Sequence, residues 1–153
     1  MTWIFPAFLA ASAVHMLEEY GYPGGFPDLM KRMNPRFAAH VTTPFAVLIN
    51  GLQLLLCAVA IAVGGRPLVF SMSIAGLLFI NGMVHLGACT RLGKYTPGAI
   101  TGALLYLPLS IYAYGALIRS GALAPGAALL TGLLGLLYQA VPIAYLAWRS
   151  RRV

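Results

Sequence analysis

Five apolar runs organise this chain and leave almost no room for a soluble fold. They occupy about residues 2–20, 44–63, 67–90, 97–118 and 125–148, each close to the roughly 20 residues with which a helix crosses a hydrocarbon core. A water-facing domain carries about 25% charged residues, whereas this chain of 153 has 8%, against 60% hydrophobic residues. The sequence therefore predicts a single all-α domain over 1–153, a polytopic integral membrane helical bundle of five transmembrane helices.

The net charge of +7 would suit nucleic acid if it formed a patch. The basic residues instead punctuate the apolar runs, so no nucleic-acid partner is expected. Lys31, Arg32 and Arg36 fall in the first link, Arg91 and Lys94 in the third, and Arg149, Arg151 and Arg152 after the last run, against Arg66 and Arg119 in the other two links. Eight against two predicts an outside N-terminus and a cytoplasmic C-terminus in the cytoplasmic (plasma) membrane. Trp3 and Trp148 then suit the two interfaces. No Lys or Arg precedes the first run, so it lacks the charged start of a cleavable signal and is expected to be retained. Cys57 and Cys89 lie in different runs at different depths, which predicts packing residues and no disulfide.

Proline opens the last four runs, at Pro44, Pro67, Pro97 and Pro125, where a missing N–H and a fixed φ suit a helix start. Thr43 and Thr96, each just ahead of a proline, are the expected hydroxyl caps. The link 21–43 is the longest: Tyr22-Pro23-Gly24-Gly25-Phe26-Pro27 predicts turns, and Asp28 to Met33 a short interfacial helical turn ended by Asn34-Pro35. Gly98 with Gly102, Ala58 with Ala62, and Gly132 with Gly135 are expected to let helices approach closely, and Gly98-x-x-x-Gly102 could equally serve a homodimer. Pro108 and Pro142, mid-run, predict kinks.

The residues that can carry chemistry collect at one end. In His15-Met16-Leu17-Glu18-Glu19, both carboxylates lie within about 60° of His15 around a helix axis. Asn81 and His85, four apart on the third run, predict a facing polar pair, and His40 precedes the second run on the same side. Asn50, Tyr106, Tyr138, Gln139 and Tyr95 are the expected lining of a substrate pocket. Ionisable groups in an apolar run are expensive and default to function.

The stretch His15-Met16-Leu17-Glu18-Glu19 resembles the signature of the HXXEE family of small membrane proteins. Asn81-Gly82-Met83-Val84-His85, followed by Tyr95-Thr96-Pro97-Gly98, is similar to that family's second motif block. The resemblance implies that His15, Glu18, Glu19, Asn81 and His85 are the functional positions. It implies no particular reaction.

Three functions fit these residues. In the first, a membrane enzyme performs acid–base chemistry, such as isomerisation, cyclisation or epoxide opening, on a lipophilic substrate of isoprenoid or other lipid type. Two carboxylates sharing an apolar pocket would leave one protonated as the acid, with the other, or His85, as base, and no cofactor is required. In the second, His15, Glu18, Glu19, His85 and His40 supply the ligands of a zinc or non-haem iron ion. In the third, the carboxylates bind protons in a small proton-coupled transporter or lipid-binding protein, against which stand the odd number of runs and the lack of an internal repeat.

Overall fold

A computed structural model describes residues 2–21 and 23–151. Tyr22 of the expected turn and Arg152 of the basic tail lie outside the described residues. All regular structure among the described residues is helical: α1 Ile4–Gly21, α2 Gly25–Met33, a single 3-10 turn Pro35–Phe37, α3 Thr43–Ala62, α4 Leu68–Leu92, α5 Ala99–Thr101, a π-helical turn Gly102–Tyr106, α6 Leu107–Arg119 and α7 Pro125–Arg149. The segment from Ala99 to Arg119 is continuous, so the apolar runs appear as five long helices.

Four of these are long and apolar enough to cross a membrane: Thr43–Ala62, Leu68–Leu92, Ala99–Arg119 and Pro125–Arg149. This corrects the expected five. The first run does form a helix, but His15, Glu18 and Glu19 all fall within the 18 residues of α1 and dilute its apolar character. Its buried residues include Ile4, Phe8, Ala11 and His15, one stripe at the three-and-four spacing of a helix packed along one side. The stripe turns inward against α3, α4 and the π turn.

The helix α4 is the centre of the bundle: 56% of its most apolar stretch is buried, against 11% to 28% for the other three. It touches α1, α3, α5, α6 and α7. Large apolar side chains such as Leu17, Leu104 and Leu129 are 67% to 73% exposed on the outer surface.

Two of the expected small-residue contacts are made, at the two faces of α4. A Cβ on Gly135 would strike the backbone of Gly76 and Leu77, and one on Gly102 would sit 3.2 Å from the Cα of Gly82. Glycine at these points lets α7 and the π turn lie backbone to backbone on α4. Ala58 and Ala62, in contrast, are exposed, and Ala60 takes the buried position on α3. Gly98 and Gly102 both face inward, onto the histidines and onto Gly82 respectively.

Local differences from expectation have simple causes. Thr42, one residue earlier than Thr43, caps α3 by accepting the Phe45 N–H at 3.3 Å, because Pro44 occupies the first turn and has no N–H to donate. Thr96 caps nothing; its hydroxyl bonds the His85 carbonyl at 3.3 Å, and Gly98 stands at the start of α5. Helix α2 spans nine residues from Gly25, longer than the short turn expected, and Asn34 ends it. Pro108 cannot donate to the Leu104 carbonyl, and the preceding turn widens into the π turn that carries Tyr106 inward. Pro142 sits within an α7 that runs unbroken. Cys57 and Cys89 are free thiols.

Candidate functional site

Helix α1 ends with His15 and Glu19 stacked on its inner face, 2% and 1% exposed, as side chains four apart must be. His85 approaches from α4. Its Nε2 lies 3.1 Å from Glu19 Oε1, while His15 Nε2 lies 3.5 Å from the same oxygen. The two imidazoles meet edge to face, with centroids 4.9 Å apart. The other Glu19 oxygen accepts from Asn50 Nδ2 at 2.9 Å, which fixes the carboxylate from α3. Asn50 also donates to the Tyr20 hydroxyl at 3.1 Å.

Glu18 turns the other way. Its Oε1 accepts from the Tyr95 hydroxyl at 2.6 Å and the Ile100 N–H at 3.0 Å, and its Oε2 from the Thr101 N–H at 2.7 Å and the Thr101 hydroxyl at 2.5 Å. The first N–H groups of a helix have no intrahelical acceptors. Gly98, at the start of α5, has no side chain to cap them, so a carboxylate from a different helix does it.

Thr101 joins the two halves of the site. Its hydroxyl proton goes to Glu18, so its oxygen accepts from His15 Nδ1–H at 2.7 Å. This network assigns the His15 tautomer. In the neutral ring Nε2 then carries a lone pair, 3.5 Å from Glu19 Oε1 and without a hydrogen-bond partner. A nitrogen lone pair this close to a carboxylate oxygen in a buried site is repelled by it, and a cation between them, proton or metal, removes the repulsion.

Above the rings lies the loop Tyr95-Thr96-Pro97-Gly98, held to α4 through Thr96, whose hydroxyl is also 3.1 Å from Cys89 Sγ. A Cβ on Gly98, at φ +85°, would come within 2.6 Å of His85 Cε1 and 2.7 Å of His15 Cε1. Only glycine lets the loop close so near. His85 Nδ1, beside it, is buried without a partner. Below, the Tyr106 ring packs on His15 with centroids 4.4 Å apart. The Tyr106 hydroxyl accepts from Gln53 Nε2 at 2.7 Å, and Gln53 also reaches Ser12 at 3.1 Å.

A sequence profile described as proteins of unknown function with an HXXEE motif matches residues 3–113, more than half of the chain. The chain belongs to the HXXEE-motif family. No curated protein and no solved structure matches it. The matched residues contain His15, Glu18, Glu19, His85 and Thr101, and stop before α7 begins at Pro125.

Within the HXXEE motif the two glutamates therefore have different work. Glu19 meets the histidines, Glu18 caps α5, and no hydrogen bond joins the two carboxylates among the described residues. The two carboxylates, expected in one pocket, thus turn to different partners, Glu18 to α5 and Glu19 to the histidines. Glu18 has four donors around its two oxygens, about as many as a carboxylate accepts, so it is not a ligand in this geometry.

The other expected site residues divide. Asn50, Tyr106 and Tyr95 border the centre. Asn81 instead donates to Gln139 Oε1 at 3.4 Å, and Tyr138 accepts from Ser73 at 3.3 Å, so all three belong to the α4–α7 contact. One helical turn separates Asn81 from His85, but α4 is buried on several sides and its faces serve different neighbours. His40 follows the 3-10 turn and is not part of the donor group. Gly98, expected only as a packing glycine and as part of the second motif block, closes over the two rings, and sequence reasoning missed Thr101, Gln53 and Ser12. Of these three, Gln53 carried a signal, a second polar side chain three residues after Asn50 on an otherwise apolar helix.

His15, Glu19 and His85 each offer a donor atom, all within 4.8 Å of one another. Four-coordinate zinc with bonds near 2.0–2.2 Å places its ligand atoms roughly 3.4 Å apart. Two of the three separations, 3.1 and 3.5 Å, are of that size, and the third is within 4.8 Å. The residues fit a divalent ion held by two imidazoles and one carboxylate.

Proposed function

We propose that this chain is a membrane-embedded, metal-dependent enzyme acting on a lipophilic substrate, with His15, Glu19 and His85 holding one zinc or non-haem iron ion. The observation that carries the reading is the buried His15 Nε2, without a hydrogen bond and 3.5 Å from Glu19 Oε1. Support comes from the surrounding groups. Thr101 orients His15 and Asn50 orients Glu19, the kind of outer contact that keeps metal ligands in place. Three protein ligands leave coordination positions open, and an ion there would supply Lewis acidity or an activated water. The protein's own part is to hold the donors, exclude water with the Gly98 loop and the Tyr106 ring, and present Tyr95, 38% exposed, at the rim.

The four apolar helices and the exposed leucines support a membrane location. The excess of Lys and Arg in the links beside the His/Glu end, and after α7, supports a cytoplasmic orientation for that end.

The test is metal analysis of purified protein. One ion per chain is expected, lost in Glu19→Gln and His85→Ala and kept in Glu18→Gln. Metal-free wild-type protein that retains activity would sink the reading.

A second reading keeps the same residues without metal: the cation beside His15 is a proton, and the centre is an acid–base catalyst for isomerisation or cyclisation. One observation favours it. A ligating histidine normally donates its second N–H to a partner, and His85 Nδ1 has none.

A further inference from the structure

The end of the bundle that carries the His/Glu centre has a second, separate feature. Phe37 packs with Val41 against Leu146 of α7. Between the 3-10 turn and the end of α7 this contact leaves a cleft of about 470 Å³, lined by Asn34, Arg36, Phe37, Ala147, Ser150 and Arg151. Phe37 is buried and Ala147 half-buried, whereas both arginines are exposed. The cleft thus has an apolar floor and two guanidiniums at its edge.

Among the described residues no acidic side chain pairs with either arginine. The sequence has three acidic residues. Glu18 and Glu19 are engaged in the centre described above, and Asp28 faces Lys31 at 3.5 Å. Asn34 uses its side-chain oxygen to accept the Arg36 N–H at 3.2 Å, which leaves its amide N–H groups as further donors. Tyr145 and Trp148, on the last turns of α7, are 44% and 47% exposed, amphipathic rings of the type that gathers at headgroup depth.

We propose that this cleft binds the phosphate of an anionic phospholipid. Arg36 and Arg151 take the phosphate oxygens, and Phe37 and Ala147 receive the glycerol and the first carbons of a chain. Guanidinium recognises phosphate oxygens in paired hydrogen bonds, and basic pockets between membrane helices suit acidic headgroups. A free phosphate ion would use the arginines but gain nothing from the apolar floor. The site is independent of the metal reading.

The test is titration of the full chain in detergent with dioctanoyl phosphatidylglycerol, followed by native mass spectrometry. Parallel arms use dioctanoyl phosphatidylcholine and inorganic phosphate. Near the surface one arginine contributes roughly fivefold in affinity, so R36Q/R151Q is expected to bind about 25-fold more weakly. R151Q alone, beyond the last residue of α7 and so without consequence for the fold, should weaken binding about fivefold. R66Q/R119Q, which removes the same charge at the opposite end, should leave affinity unchanged. Wild-type affinity in R36Q/R151Q, equal binding of phosphatidylcholine, or full displacement of the lipid by equimolar inorganic phosphate would each overturn the proposal.

Discussion

His15 and Glu18 are tied through one hydroxyl: His15 Nδ1 donates to Thr101 Oγ1 at 2.7 Å, and the same hydroxyl donates to Glu18 Oε2 at 2.5 Å. The capping carboxylate and the buried centre are therefore coupled, although among the described residues no hydrogen bond joins the carboxylates of Glu18 and Glu19.

Thr101→Val removes that hydroxyl while keeping the side-chain volume. His15 then loses its orienting acceptor, and the expected result is a 10- to 100-fold loss of metal affinity, with most of the helix content retained. Competition with a chromophoric chelator, read beside circular dichroism, measures both. Unchanged affinity would show that Thr101 serves only the helix start.

Glu18→Ala should act on stability ahead of chemistry. It strips the cap from the Ile100 and Thr101 N–H groups, a loss of about 1–2 kcal/mol by analogy with other helix caps. Glu18→Gln keeps one acceptor oxygen and should recover part of it. Unfolding of the two variants in detergent gives the comparison, and equal stability of Glu18→Ala and wild type would contradict the capping role.

Gly98→Ala places a methyl group within 2.6 to 2.7 Å of both imidazoles, at a φ of +85° that L side chains rarely adopt. The loop or the rings must move, so metal binding and activity should fall together by at least tenfold. The variant retaining both at wild-type level would mean that the loop does not close over the centre as described.

Gln53→Leu leaves the buried Tyr106 hydroxyl without the donor that meets it at 2.7 Å. Ser12 remains as a partner of that hydroxyl, so a stability loss of about 0.5–1.5 kcal/mol is expected from the lost hydrogen bond. The double variant with Tyr106→Phe should be less destabilised than Gln53→Leu alone, because both polar partners are then gone. A double-variant cycle in thermal unfolding reads this directly.

Much of the architecture was legible because it depends on local properties. Apolar run length located the five long helices, and proline marked the starts of α3 and α7. The polar link produced α2 and ended it at Asn34. The count of spanning helices went wrong at α1 for an equally local reason: the residues that make the helix interesting are those that make it less apolar.

The candidate centre was half legible. Helical spacing put His15 and Glu19 on one face, and the polar exceptions in apolar runs pointed to His85 and Asn50. Asn81 was misassigned because a helix surrounded by neighbours has no single inner face. Thr101 could not be found, since a threonine near a helix start is unremarkable until the chain brings it across 83 residues to Glu18.

The sequence by itself determined that this chain is a set of apolar helices with its few ionisable side chains gathered at one end. Composition and periodicity act residue by residue along the chain, so they can be read there. Only the tertiary structure decided that Glu19 meets two histidines while its neighbour Glu18 caps a different helix. Adjacent residues on a helix point about 100° apart, and what each one meets is set by which helices pack on either side.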